Sequence, residues 1–181
     1  MLAKKLCALI LAALLLLSTA ALAENEPVWL LDELNTTDIY GEPVDLSLFV
    51  EDELVMVNVW ATYCPPCLQE MSDLGKLSEK WAAEGVRIVG LVSDVIDGSL
   101  NPDAAQLELA QTIAEQTGAS YTHLVPDLRL VMKVLSGIQY VPTTFFVKPD
   151  GSLTGGVYVG ARSYEQWDEV IDDTWKELQG V

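Results

Sequence analysis

The sequence is poor in the residues that build metal centres and disulfide frameworks, with three cysteines and one histidine in 181 positions. Three cysteines cannot knit a disulfide scaffold, and a zinc site wants four ligands that two cysteines and one histidine do not supply. Basic residues are scarce too. Ten Lys and Arg stand against 27 Asp and Glu, a formal charge of −17, and no Lys/Arg cluster interrupts that balance. Such a chain repels phosphate backbones and anionic headgroups, so nucleic acid is not an expected partner. Internal repeats, low-complexity tracts and linkers rich in Gly, Ser or Pro are all missing. One ordinary domain is expected, and a 50% hydrophobic composition is enough to fill its core.

There is a single long apolar run, Leu6 to Leu17. Lys4 and Lys5 precede it and Ala21-Leu22-Ala23 follows, so residues 1–23 read as a secretory signal with a charged start and a small-residue cleavage site. An uncleaved anchor is the alternative, although the stretch is slightly short for a span of about 20 residues. Cleavage leaves residues 24–181 as the domain and removes Cys7 and two lysines, taking the charge from −17 to −19. Cys64 and Cys67 then remain as the only thiols, in an extracytoplasmic setting where disulfides persist.

Along the rest of the chain, Tyr40-Gly41-Glu42-Pro43 marks the turn of a β-hairpin. Leu54 to Trp60 and Val86 to Val92 are apolar, β-branched runs that read as strands covered on both faces. Between them a helix is predicted over 65–83, with Cys67, Met71, Leu74, Ser78 and Trp81 as its buried stripe. A helix capped by Asn101, with Pro102 at its first position, is expected to run to Thr117 and stop at Gly118. A shorter helix follows over 127–135. Thr143 to Lys148 and the segment around Val157 to Val159 form a hairpin through Pro149-Asp150-Gly151. Ser163 and Gln166 make a capping box for a last helix carrying Trp167, Ile171 and Trp175. The order implies an α/β fold, a mixed central sheet with helices on both faces.

The chemistry concentrates in Trp60-Ala61-Thr62-Tyr63-Cys64-Pro65-Pro66-Cys67, where the first buried strand ends and a helix begins. At a helix N-terminus, unpaired N–H groups and the positive end of the dipole favour a thiolate at Cys64. Cys67, one turn on, is placed to resolve a mixed disulfide. Pro65 and Pro66 are tolerated in a first turn and stiffen the loop between the sulfurs. Three other readings remain open at this point. A structural disulfide would close a loop too small to stabilise much. Zinc lacks ligands, and copper held by Cys64, Cys67 and His123 is chemically reasonable. Tyr140-Val141-Pro142-Thr143-Thr144-Phe145-Phe146 adds a proline directly before a strand, compatible with a cis or a trans peptide bond.

W-A-T-Y-C-P-P-C, followed by V-P-T-T-F-F and K-P-D-G-S, resembles the thioredoxin superfamily, and most closely its extracytoplasmic thiol–disulfide oxidoreductases of the TlpA/ResA type. The resemblance spans essentially the whole domain, including the leading hairpin and an inserted helical segment at about 94–126. It implies a thioredoxin-like three-layer fold and a redox-active Cys64–Cys67 pair with no bound cofactor. It further implies a cis Pro142 facing that pair, a Val141 backbone that pairs with an extended substrate segment, and Trp60 packed beside the site. Tyr63 and Pro65 complete the expected substrate-binding set. Glu70 matches the acidic residue of the family's C-P-P-C-x-x-E-x-P pattern. Three residues beyond Cys67 it can raise nearby thiol pKa values and take the Cys67 proton, with a solvated glutamate as the alternative reading. The chain departs from the pattern at Ser72, where proline is usual, so the helix is expected without the usual kink.

The implied activity is reduction of disulfides in partner proteins, with roles such as bacterial cytochrome c maturation, by a monomer fed electrons from a membrane thiol donor. The rivals are a disulfide oxidant or isomerase, a copper-binding assembly protein using Cys64, Cys67 and His123, and a binding domain with an inert disulfide.

Overall fold

A computed structural model describes residues 34–45 and 47–181. The expected signal and cleavage site, residues 1–23, lie outside the described residues. Among the described residues no helix is long and apolar enough to cross a membrane.

The hairpin forms as the turn residues require. Strand β1 (Asn35–Thr37) pairs antiparallel with β2 (Pro43–Asp45), and Asp38 closes the turn by accepting from the N–H groups of Tyr40 and Glu42. A single helical turn, α1 (Ser47–Val50), leads into β3 (Leu54–Trp60), which is buried along its whole length. Then come α2 (Pro65–Ala82), β4 (Val86–Val92), α3 (Ala104–Thr117), β5 (His123–Leu124), α4 (Leu128–Lys133) with a 3-10 turn at Leu135–Gly137, β6 (Thr143–Val147), β7 (Leu153–Val159) and α5 (Tyr164–Gln179). The sheet order is β5-β4-β3-β6-β7. The first three strands run parallel, and β6 and β7 are antiparallel additions.

Successive side chains on a strand point to opposite faces, and β3 shows what that does here. Val55, Val57 and Val59 join one core with Phe49 of α1 and Leu130 of α4. Leu54 and Met56 face the other way, against Leu74, Leu77 and Trp81 of α2 and Trp167 and Ile171 of α5. Trp60, on that same face, packs with Cys64, Cys67 and Met71 of the active-site end and with Ala110 and Ile113 of α3. Helices therefore cover both faces of a mixed sheet.

The outcome differs from the sequence reading in detail. The cap of α3 is Asp103, whose side chain accepts from the N–H groups of Ala105 and Gln106, and Pro102 lies outside the helix. Asn101 is drawn away because its backbone and side-chain N–H groups both donate to Asp97. Gly118 ends α3 in a left-handed conformation, φ 71°, as the sequence suggests. The elements α1 and β5 are too short to carry a periodicity. In α2, Leu77 and Glu70 are buried, whereas Ser78 is only half-buried.

Asp103→Ala is expected to lower stability by about 1 kcal/mol. Urea unfolding with an unchanged m-value checks it; an unaltered midpoint would remove Asp103 as the cap.

Candidate active site

Cys64 caps α2 in extended backbone conformation, φ −99° and ψ 98°. Four N–H groups normally go unpaired at a helix start. Here Pro65 and Pro66 have none, Leu68 N–H returns to the Cys64 carbonyl (3.2 Å), and Cys67 N–H donates to Cys64 Sγ (3.3 Å). The two prolines thus leave one first-turn donor, and it is aimed at the sulfur. Cys64 and Cys67 are joined in a disulfide, with Cα atoms 5.3 Å apart. Cys67 is wholly enclosed, while Cys64 keeps a sliver of exposure, so an incoming sulfur reaches Cys64.

The opposite wall is the turn before β6. The Val141–Pro142 peptide bond is cis. The Val141 carbonyl lies 3.5 Å from Cys64 Sγ, a contact in the disulfide that becomes an S–H···O hydrogen bond when the sulfur carries a proton. Thr143 Oγ1 donates to the Tyr140 carbonyl (2.7 Å) and Gly160 N–H to the Pro142 carbonyl (2.9 Å), holding this turn to β7. On the other flank, Thr62 donates its N–H to both Asp94 oxygens (3.0 Å) and its hydroxyl to Asp94 Oδ2 (2.6 Å). The backbone two residues before Cys64 is pinned to the end of β4.

Of the residues expected to meet a substrate, Tyr63 is 73% exposed and Pro65 is exposed, while Val141 is half-buried and Pro142 is buried. Tyr63, Tyr140, Val141, Leu135 and Ile138 line a groove of about 290 Å³ in which, among the described residues, no carboxylate or ammonium takes part. Tyr140, 68% exposed, was not singled out from the sequence. Trp60 requires a correction: it is 0% exposed and cannot touch a substrate. It packs against the cysteines from beneath, because an even position of β3 faces α2.

Glu70 is 2% exposed, which overturns the solvated alternative. Asn58 Nδ2 donates to its Oε1 (2.9 Å), and Trp167 Nε1 (2.9 Å) and the Arg162 N–H (3.0 Å) donate to its Oε2. Burial raises the Glu70 pKa, and these hydrogen bonds oppose the rise without cancelling it. Oε2 is saturated by two donors, whereas Oε1 holds one and keeps a lone pair for a proton. The sequence reading missed Asn58, Arg162 and Trp167 as partners. One signal was visible: Asn58 is the only polar residue in the apolar run of β3, and a buried amide demands partners. It also donates to Thr144 Oγ1 (2.9 Å) on the neighbouring strand.

The structure does not bring His123 to the cysteines as a ligand. Its Nδ1 accepts from Trp60 Nε1 (3.1 Å) and its Nε2 donates to the Ala119 carbonyl (3.0 Å), so both ring nitrogens are occupied. Among the described residues no three His, Cys, Asp or Glu converge as a metal would need. The copper set of Cys64, Cys67 and His123 is not assembled.

The family model described as the AhpC/TSA family matches residues 31–155. The chain is similar to the thiol:disulfide interchange protein DsbE of Haemophilus influenzae, 30% identical over 145 residues that span 80% of this chain and 72% of that protein. It is also similar to the thiol-disulfide oxidoreductase ResA of Bacillus thuringiensis subsp. konkukian, 27% identical over 135 residues, 75% of this chain and 70% of the relative. Among solved structures, a thiol:disulfide interchange protein of the thioredoxin family from Chlorobium tepidum TLS superposes with a TM-score of 0.64 at 25% identity, covering 79% of this chain and 93% of its own. A secreted Mycobacterium tuberculosis disulfide oxidoreductase shares the fold, with a TM-score of 0.58 at 20% identity over 80% of this chain and 97% of its own.

The raised pKa of Glu70 has a signed consequence. The native state holds this proton more tightly than the unfolded chain, so the contribution to stability is complete below the ordinary value of 4.5 and is lost as pH rises through the native value. Glu70→Gln cannot titrate. Its stability relative to wild type should climb with pH from about 4.5 and then level, read by urea unfolding of the oxidised protein between about pH 4 and pH 8. A flat difference would return Glu70 to an ordinary carboxylate.

Proposed function

This chain belongs to the AhpC/TSA family, a thioredoxin-fold lineage, and from that premise we propose that it works outside the cytoplasm, reducing disulfides of partner proteins through the Cys64–Cys67 dithiol. The chain is a thiol–disulfide oxidoreductase, as its ResA and DsbE relatives are named. The observation that carries the reading is the single first-turn donor, Cys67 N–H, directed at Cys64 Sγ, with the Val141 carbonyl across from it.

In the dithiol form the Cys64 thiolate attacks one sulfur of a partner disulfide. A Cys64–partner bond forms, the partner's S–S bond breaks, and the departing thiolate takes up a proton. Cys67 then loses its proton and attacks Cys64 Sγ, which closes the Cys64–Cys67 bond and expels the second partner sulfur as a thiolate that is protonated in turn. Two electrons pass to the partner, and its two thiolates are protonated from solvent, which balances the proton Cys64 released on ionising and the one Cys67 gives up. Glu70, one turn beyond Cys67 on the same helix, is the proposed acceptor of the Cys67 proton, and the free lone pair of Oε1 and its raised pKa support that role.

The dithiol itself carries the two electrons, so the reaction as proposed calls for no bound cofactor. A thiol donor delivered from the membrane must restore the dithiol. The neutral groove between Tyr63 and Tyr140 suits an extended partner segment laid along the Val141 backbone, one monomer to one partner. Cytochrome c maturation is one process that needs such a reductant.

Cys64→Ser is expected to abolish disulfide reduction, and Cys67→Ser to accumulate mixed disulfides with partners, both read by non-reducing electrophoresis and mass spectrometry. Retained activity in Cys64→Ser would remove the mechanism. The equilibrium potential of the pair against a redox-buffer series decides direction. A value near or below about −230 mV is expected of a reductant, and about −120 to −180 mV would make the protein an oxidant or isomerase.

A further inference from the structure

The single histidine has no part in the exchange chemistry above, yet the fold has made room for it. His123 is buried on the edge strand β5, and it reaches across β4 to a residue of β3. An indole N–H can only donate, so the Trp60 contact at 3.1 Å requires Nδ1 of His123 to be unprotonated. The ring proton then sits on Nε2 and is donated to the Ala119 carbonyl at 3.0 Å. One neutral tautomer satisfies both bonds. Burial pushes the imidazole pKa down to about 4, which keeps it in that form through the neutral range. The two rings meet edge-on, 5.4 Å apart at 74°, and Tyr121 packs on the imidazole at 4.5 Å.

A second observation stands apart from the first. Gly90 occupies the middle of β4, where a glycine weakens a buried strand. Its backbone has no need of glycine's freedom; its space does. A Cβ at position 90 would lie 2.2 Å from His123 Nδ1 and 3.0 Å from Trp60 Nε1, on top of the hydrogen bond itself. Register explains why. Gly90 lies opposite Asn58 on β3 and opposite His123 on β5, so the missing side chain is the gap through which His123 crosses the sheet.

The third observation is where Trp60 sits. It is wholly enclosed in the cluster that holds Cys64, Cys67 and Met71. Without an acceptor its N–H would be a buried, unpaired donor among sulfurs.

Resting on the oxidoreductase reading, we propose that His123 is a positioning residue for the redox pair: by accepting the Trp60 indole N–H it holds the indole plane against Cys64 and Cys67 and directs that N–H away from their sulfurs. The dithiol thereby keeps the Cys67 N–H as its indexed donor, and the floor of the site does not rotate when the disulfide opens and closes.

The test uses the full protein and three variants. His123→Phe keeps a ring but has no acceptor, His123→Gln can both accept and donate, and Trp60→Phe removes the N–H. His123→Phe should slow exchange with a model disulfide by about fivefold or more and shift the thiolate absorbance titration of Cys64, while His123→Gln returns the rate to within about twofold of wild type. In the Trp60→Phe background, His123→Phe should add nothing. A folded His123→Phe protein that exchanges and titrates as wild type overturns the proposal, as does a Gln variant no better than Phe, or additive effects of the two positions. Should His123→Phe fail to fold, nitrogen-15 NMR of the wild type decides: a scalar coupling from the Trp60 indole N–H to an unprotonated Nδ1 is expected at pH 7, and a protonated Nδ1 or an uncoupled indole overturns it. Wild-type protein without any exchange activity would sink the oxidoreductase reading and the positioning role with it, whereas an active wild type with an unaffected variant sinks only the role of His123.

Discussion

The buried carboxylate of Glu70 is the joint on which the catalytic helix hangs. A charge taken out of water is costly unless neighbours replace its solvation. Here the replacements come from three separate pieces of chain: the Asn58 amide on β3, the Arg162 backbone N–H beyond β7, and the Trp167 indole on α5. One carboxyl group therefore ties α2 to the middle of the sheet and to the last helix, one turn from Cys67. Any movement of α2 along its axis would unpair several donors at once, and this holds the resolving sulfur in register with the strand end that carries Cys64. The same surroundings leave the carboxyl with a raised pKa, so the group that stiffens the fold is also a perturbed carboxyl one turn from Cys67.

Several choices that would weaken an ordinary domain make sense around the sulfurs. Two prolines at a helix start cost nothing there, and they strip away N–H groups that would otherwise compete for the cap. An asparagine in the apolar strand β3 is a liability unless paired, and it pairs with Glu70 and Thr144. A glycine in the interior strand β4 gives up packing to admit an imidazole and an indole. Departures from local rules gather where the chemistry is.

Much of this was legible before any coordinates. The apolar runs of β3 and β4, the capping box of α5 at Ser163 and Gln166, and the left-handed stop at Gly118 follow from local chemistry. Other features were not. Asn101-Pro102 reads as a better helix start than Asp103, but the cap belongs to whichever side chain is free, and Asn101 is already spent on Asp97. The strand β5 is two residues long and forms where β4 offers an edge on one side and Asp38 bridges to Leu124 on the other.

The sequence by itself determined the position of the reactive pair. A strand, a turn and a helix are local events, and Cys64 must stand at their junction whatever the rest of the chain does. It determined as well that Glu70 lies on the helix within reach of Cys67, because the spacing is three. Only the tertiary structure decided what those groups experience. Whether Glu70 is solvated or buried depends on Asn58, Arg162 and Trp167, which lie 12, 92 and 97 positions away. Whether Trp60 meets a substrate or a histidine depends on which face of β3 the helices cover, and on a glycine in β4, the strand that lies between Trp60 and His123. Desolvation and long-range hydrogen bonds are set by chain segments that meet only on folding, and no periodicity records them.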